Sequence, residues 1–273
     1  MQFKIFSVQY SLLCATIKKI GLKFRIFSLS EVLLVQKLLS YVRRAVDDYH
    51  MIQPNDCIAV GVSGGKDSLT LLLALARLRR FYPVPFSLKA ITLDIGFPNM
   101  DFSPLAHFCE ELDAEFILEK TDIREIVFDI RKESNPCSLC AKLRRGALLN
   151  TALSHGCHSV ALGHHQDDVI ETYMLSLLYE GRFHCFLPVT QMEDKEISVI
   201  RPLIYTPEAY IRSVAKKSDL PLVKSTCPAD GNSKRQEIKD LLWSIEKENR
   251  GARQRIFGAI QRYPLCGWER TTE

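Results

Sequence analysis

An apolar run, Cys57-Ile58-Ala59-Val60, leads into Gly61-Val62-Ser63-Gly64-Gly65-Lys66-Asp67-Ser68 and out into Leu69-Thr70-Leu71-Leu72-Leu73-Ala74-Leu75. This is a strand, a glycine turn and the first turn of a helix. Such a junction gathers backbone N–H groups at a helix N-terminus and favours bound phosphate. Gly64 and Gly65 allow the backbone to bend and approach a ligand, Ser63 and Ser68 add hydroxyls, and Lys66 adds a cation. The bare alternative is a strand-to-helix turn with no ligand. The common phosphate loop, G-x-x-x-x-G-K-[ST], is excluded, because Val60 stands where it needs glycine and Asp67 where it needs Ser or Thr.

Strand and helix patterns alternate along the chain. Helical spacing covers residues 31–49 with Ser30 as cap, strands are expected near 56–60, 88–93, 115–118 and 159–162, and helices near 103–112, 122–133, 139–154 and 167–179. This rhythm predicts a doubly wound parallel α/β sheet, with a helical segment before it and further helices near 208–217, 233–249 and 252–262. The expected division is an N-terminal extension 1–29, an ATP-binding α/β part 30–200, and a helical part 201–273. Ligands bind beyond the carboxyl ends of such strands, so the 63–68 loop, Asp94 and Gly163-His164 fall on one rim.

Two further strings carry chemistry. Leu162-Gly-His-His-Gln-Asp-Asp168 also follows a strand and opens a helix. Gly163 suits close approach to a nucleotide, and Asp167 or Asp168 suits Mg²⁺, a hard ion that bridges carboxylate to phosphate. Carboxylates in a first helical turn are equally favourable with no ligand, and one histidine can serve only a core hydrogen bond. Pro136-Cys137-Ser-Leu-Cys140 is a C-x-x-C at a loop-to-helix junction, with Arg144-Arg145 after it and Cys227 as the best distant third thiol. Three thiolates can hold an iron–sulfur cluster. The alternatives are structural cysteines or zinc. Cys14, Cys57, Cys109, Cys157, Cys185 and Cys266 read as isolated small apolar residues.

The 273 residues and nine cysteines do not fit a short secreted disulfide scaffold, and point to a reducing compartment, the cytoplasm. No run reaches the roughly 18 apolar residues of a membrane span. Residues 5–17 loosely imitate a signal peptide but lack its cleavage site, and Lys18-Lys19 follow. Net charge is only +4, yet Lys234 to Arg262 holds eight basic and four acidic residues, a surface for phosphate backbones or merely a solvated helix face.

Taken in order, Ser63–Ser68, Cys137-Ser-Leu-Cys140-Ala-Lys-Leu-Arg-Arg145, Leu162–Asp168, Arg201-Pro-Leu203, Cys227 and Lys234-Arg-Gln-Glu-Ile-Lys239 resemble the tRNA 2-thiocytidine synthetase family over roughly residues 33–262. The resemblance implies a PP-loop, adenine nucleotide alpha hydrolase-like fold. It implies ATP and Mg²⁺ used to adenylate the C2 oxygen of an anticodon-loop cytidine, with sulfur then displacing AMP. It also implies a [4Fe-4S] cluster on Cys137, Cys140 and Cys227, which with Lys66, Asp67 and Asp168 form the expected catalytic set. Ser63, Gly64, Gly65, Lys66, Asp67, Ser68, Asp94, Gly163, His164 and Asp167 are the expected nucleotide and Mg²⁺ contacts. Implied partners are tRNA, a sulfur donor such as a cysteine desulfurase or free sulfide, and a second copy in a homodimer. A lysidine-synthetase-like tRNA ligase, which shares two of the motifs but needs no thiols, and a non-catalytic ATP-binding iron–sulfur module are the competing readings. The sequence departs from some relatives at Cys227-Pro-Ala-Asp-Gly, which lacks a second nearby cysteine.

Overall fold

The computed structural model describes residues 29–132, 136–192, 196–224, 226–227 and 234–263. The expectations for residues 1–28, Cys14, Cys266 and the turn at Pro228 lie outside them. The elements run α1 (Leu29–Asp48), β1 (Asp56–Gly61), α2 (Lys66–Leu78), β2 (Phe86–Asp94), α3 (Ser103–Glu111), β3 (Glu115–Lys120), a π-helical stretch (Glu125–Arg131), α4 (Pro136–Ser154), β4 (Ser159–Ala161) and α5 (Gln166–Tyr179). They continue with β5 (Val189–Met192), β6 (Ile197–Ile200), α6 (Glu208–Lys217), α7 (Lys234–Glu248) and α8 (Ala252–Arg262).

Six strands form one sheet in the order β3-β2-β1-β4-β6-β5. All neighbours pair in parallel except β5, which runs antiparallel to β6 at the edge. The chain order reverses between β1 and β4, so the crevice beyond those two strand ends is the switch point where such sheets take ligands. The loops that leave β1 at Val62 and β4 at Leu162 both open there.

Successive strand residues serve opposite faces, as the two-residue period requires. Ile58, Val60, Leu88, Ala90 and Ala161 join the larger apolar cluster, with α1, α2, α3, α5 and α6. Ala59, Ile91, Val160, Ile197 and Val199 join a smaller one with Leu149 and Ala152 of α4. α2 is apolar almost all round and is correspondingly buried, ten of its side chains being enclosed. At roughly 1.5–3 kcal/mol for each large side chain removed from water, this helix is a rigid base for the loop before it. Leu203, Tyr205, Ile211, Ile238, Leu242 and Phe257 place the chain after residue 200 in the same larger cluster.

Four expectations change. Residues 125–131 are π-helical rather than α-helical, ending at Lys132 with φ 48°. α4 begins at Pro136, not Leu139, so Cys137 and Cys140 stand on its first turns. The sheet carries an antiparallel edge hairpin, β5–β6, that the strand pattern did not give. Cys57 and Cys157 are not isolated: they lie side by side, Cα to Cα 4.7 Å, where β1 passes the turn before β4.

Candidate functional site

The glycine loop is held by its own hydroxyls. Ser68 Oγ accepts from Ser63 N–H (3.1 Å), donates to Gly65 O (3.0 Å) and meets Ser63 Oγ at 3.2 Å, and Ser63 Oγ accepts from Gly65 N–H (3.4 Å). Both serines therefore shape the turn. What faces outward is backbone: Gly65 is the N-cap of α2 and supplies no side-chain cap, which leaves the first-turn N–H groups for a ligand.

Two glycines are required by their surroundings. Gly64 has φ +79°, and a Cβ there would lie 2.8 Å from Val223 Cβ. Its carbonyl accepts the Val223 N–H at 3.0 Å. The segment that leads to Cys227 thus runs across the loop. A Cβ on Gly163 would lie 2.9 Å from the Asp67 carbonyl carbon and 3.0 Å from Ser68 N. Gly163 therefore admits the end of β4 against the start of α2, a role different from the expected approach to nucleotide.

The helix that opens beside the loop, α5, is capped by His165. Its Nδ1 accepts from Asp168 N–H (3.4 Å) while Asp168 Oδ2 accepts from His165 N–H (3.0 Å), a reciprocal pair. His165 is the histidine that caps the helix, and its Nε2 faces Asp168 Oδ2 (3.4 Å) and Asp67 Oδ1 (3.6 Å). His164 packs against Phe186 with the rings tilted by 35° and their centroids 4.7 Å apart. Burial pushes its pKa down to about 4, with Arg201 adding to the fall, so the ring is neutral at physiological pH. Arg201 is itself buried, donating to Leu187 O (2.6 Å) and Thr190 Oγ1 (2.9 Å), and its guanidinium lies over Phe186. Asp94 closes the end of β2, its Oδ1 accepting from Gly96 N–H at 3.0 Å.

The two carboxylates of the second string have different fates. Asp167 is enclosed and fully engaged: Oδ1 accepts from Arg253 Nη1 (2.6 Å) and Oδ2 from the Glu208 N–H at the start of α6 (2.7 Å). It is a strut, and the expectation that it holds Mg²⁺ is corrected. Asp168 Oδ1 faces Arg235 Nη1 at 3.4 Å. Below it Glu171, 1 % exposed, faces Arg235 (3.5 Å) and Lys239 (3.9 Å). Desolvation pushes Glu171 up to about 7 against the pull of Lys239 and Arg235. Asp67 Oδ1 is buried without a hydrogen-bond partner, while Asp67 Oδ2 accepts from Lys66 Nζ at 2.9 Å.

Sequence reasoning missed Glu208, whose Oε1 lies 3.0 Å from Lys66 Nζ. It also took the C-terminal basic residues as outward. Arg235, Lys239 and Arg253 turn inward to Asp168, Glu171 and Asp167, and Lys234 pairs with Glu237. The exposed basic residues beside the cysteines are Lys142, Arg144 and Arg145, on α4.

Cys137, Cys140 and Cys227 come into one neighbourhood. Burial pushes the Cys140 thiol up, Arg144 pulls it down, and the nearby Cys227 and Cys137 thiols push it up again. Among the described residues no three His, Cys, Asp or Glu side chains close to metal-holding spacing, so the thiols are neighbours and not a finished cage. Their chemistry, three soft sulfur donors beside a basic helix face, fits an iron–sulfur cluster better than Mg²⁺. The orphaned, hard Asp67 Oδ1 fits Mg²⁺. No helix among the described residues is long and apolar enough to cross a membrane.

Comparison with known proteins bears on this geometry. The profile of the PP-loop domain matches residues 35–259. A tRNA-cytidine(32) 2-sulfurtransferase of Geobacter sulfurreducens is 39% identical over 228 residues, covering 82% of this chain and 89% of that protein. The protein of the same description from Teredinibacter turnerae is 38% identical over 231 residues, 84% of this chain and 76% of its own. Among solved structures, the U34-tRNA thiolase NcsA from Methanococcus maripaludis with its [4Fe-4S] cluster superposes with TM-score 0.71 at 26% identity, covering 89% of this chain and 85% of that one.

Proposed function

Because the chain belongs to the PP-loop domain family and, within it, to the tRNA-cytidine(32) 2-sulfurtransferases, we propose that it is an ATP-dependent tRNA thiolase that forms 2-thiocytidine. The observation that carries this reading is the bond from Val223 N–H to Gly64 O, which brings the third cysteine's segment onto the phosphate loop. Activation and sulfur delivery need that proximity, since the activated base must meet its nucleophile before water does.

In this reading the first-turn N–H groups of α2 and Lys66 hold the phosphates of ATP. Asp67 Oδ1 and Asp168 are the carboxylates for Mg²⁺, which when bound neutralises phosphate charge. The cytidine C2 oxygen attacks the α-phosphorus, the bond to the α–β bridging oxygen breaks, and pyrophosphate leaves. Sulfur then attacks C2 and AMP departs. Cys137, Cys140 and Cys227 would hold a [4Fe-4S] cluster, which would supply the means of carrying an outside sulfur to the activated base. Lys142, Arg144 and Arg145 meet tRNA phosphates, and the target base turns out of its loop to enter the site. Sulfide supplies the sulfur directly; a cysteine desulfurase hands over persulfide sulfur, which a thiol reductant releases as sulfide while being oxidised to a disulfide. Residues 30–200 carry the nucleotide chemistry and 201–273 the third thiol, a division of labour across one apolar core.

The test is anaerobic incubation of the iron-reconstituted protein with tRNA, ATP and sulfide, followed by nucleoside mass spectrometry. The expected product is 2-thiocytidine, with AMP formed in proportion. Cys227→Ala removes both cluster absorbance and product, whereas thiolation retained in that variant refutes the cluster role. Lysine incorporated in place of sulfur would establish the ligase reading, which has no use for three converging thiols.

A further inference from the structure

The Lys66 ammonium stands between two carboxylates, and only one of them is its neighbour in the chain. Asp67 Oδ2 lies 2.9 Å from Nζ and Glu208 Oε1 lies 3.0 Å from it. Glu208 opens α6, and its own place is fixed. Its N–H donates to Asp167 Oδ2 (2.7 Å), and Asp167 Oδ1 accepts from Arg253 Nη1 (2.6 Å). A line of charge-assisted bonds therefore runs from α8, through the first turn of α5 and the start of α6, to the mouth of the glycine loop.

A lysine on a first helical turn has a long stem and much rotamer freedom to lose. Asp67 alone fixes it poorly. Adjacent residues on a helix point about 100° apart, and the Asp67 side chain is one-third exposed. The Glu208 side chain is 14% exposed and approaches from α6, the helix packed against α2.

We infer that Glu208 is a positioning residue for Lys66: its carboxylate holds the ammonium over the mouth of the loop, where a nucleotide phosphate meets it, and ties that placement to α8 through Asp167 and Arg253. The inference deepens the proposed function and rests on residues 63–68 being the ATP site. The charged groups around the pair agree with it. Lys66 meets Asp67 and Glu208. Behind Asp67 stands His165 Nε2, 3.6 Å from Oδ1, with Asp168 beside it. Behind Glu208 stand Arg212, at 3.4 Å, and the field of Lys239. For Glu208, burial pushes up and Lys66, Lys239 and Arg212 outweigh it, so its carboxyl lies below the usual range. The pair is ionised throughout the neutral range.

The experiment is competitive acetylation of Lys66 with acetic anhydride from pH 7 to 11, read by mass spectrometry. It uses the full chain and its Glu208→Gln and Glu208→Asp variants, each checked by circular dichroism. Kinetics of ATP-dependent AMP formation run in parallel. Glu208→Gln keeps the shape and removes the charge. Lys66 then loses a partner that favours its protonated form, so its labelling midpoint moves to lower pH and kcat/KM for ATP falls about tenfold, the lower end for a lost charged hydrogen bond at a partly exposed site. Glu208→Asp, one methylene shorter, recovers part of both. A purely structural role leaves the Lys66 midpoint where it is. An unchanged labelling profile in Glu208→Gln overturns the assignment, whatever the kinetics. Labelling needs no catalysis, so a wild-type protein that forms no AMP refutes the proposed function while the labelling still decides whether Glu208 governs Lys66.

Discussion

Replacing Gly163 by alanine measures how tightly β4 is pressed against the phosphate loop. The added Cβ would sit 2.9 Å from the Asp67 carbonyl carbon, 3.0 Å from Ser68 N and 3.1 Å from the Asp67 carbonyl oxygen. All three are backbone atoms, so no rotamer change relieves the overlap. The first turn of α2 cannot retreat either, because ten enclosed side chains of that helix anchor it. Overpacking of this kind costs about 1–3 kcal/mol. At about 2 kcal/mol the ratio of folded to unfolded protein falls roughly thirtyfold. The strain falls on the residues whose N–H groups meet phosphate, so ATP affinity drops as well. Gly146 is the control: nothing lies within 4 Å of a Cβ there, and it stands inside α4. Gly146→Ala gains about 1 kcal/mol of helix propensity. Urea unfolding followed by circular dichroism should move the two midpoints in opposite directions, with ATP calorimetry weakened only for Gly163→Ala. A Gly163→Ala midpoint equal to wild type, or a shift of the same sign in both variants, would refute the reasoning.

Three other outcomes are expected. Arg253→Ala strips the enclosed Asp167 of its guanidinium and should cost about 2 kcal/mol in urea unfolding, reduced from the fully buried value because Arg253 is about one-quarter exposed. Glu171 is raised from 4.5 to about 7 in the folded chain, so the folded state holds its proton longer. The stability it contributes is complete below pH 4.5 and is lost as pH rises to about 7. The advantage of wild type over Glu171→Gln in thermal melts should therefore shrink across that window, and a constant difference would contradict the linkage. Arg144→Ala and Arg145→Ala should each raise KM for tRNA several-fold with KM for ATP unchanged, and lower the salt dependence of tRNA binding by about one counterion.

The glycine loop was legible because strand, turn and helix signals coincide within some twenty residues and each carries its own physics. The fold class followed from the same alternation. The edge hairpin did not, since Val189–Met192 and Ile197–Ile200 are four-residue strands, too short for a two-residue period to declare itself. Asp167 and Asp168 are chemically alike in sequence. Set about 100° apart on α5, one meets α6 and α8 and the other faces Arg235. Glu208 has a sufficient local reading, a carboxylate favoured at a helix start, so nothing in the sequence pointed it at Lys66. The basic count from Lys234 to Arg262 was correct but carried no direction. Half of a charge pattern is the partner it faces, and Asp168, Glu171 and Asp167 lie far away in the chain. Cys57 and Cys157 are a hundred residues apart, and only the parallel pairing of β1 with β4 brings them together.

The hydrogen bond between Val223 and Gly64 sets the length of a leash. Three residues separate that anchor from Cys227, and the four extended steps from one to the other span at most about 14 Å. The sulfur's range of motion is therefore bounded by the nucleotide turn itself. Lengthening 224–226 would slacken it without touching any thiol or any glycine. Transplanting the third cysteine into another scaffold of this kind would have to carry the valine anchor along with it.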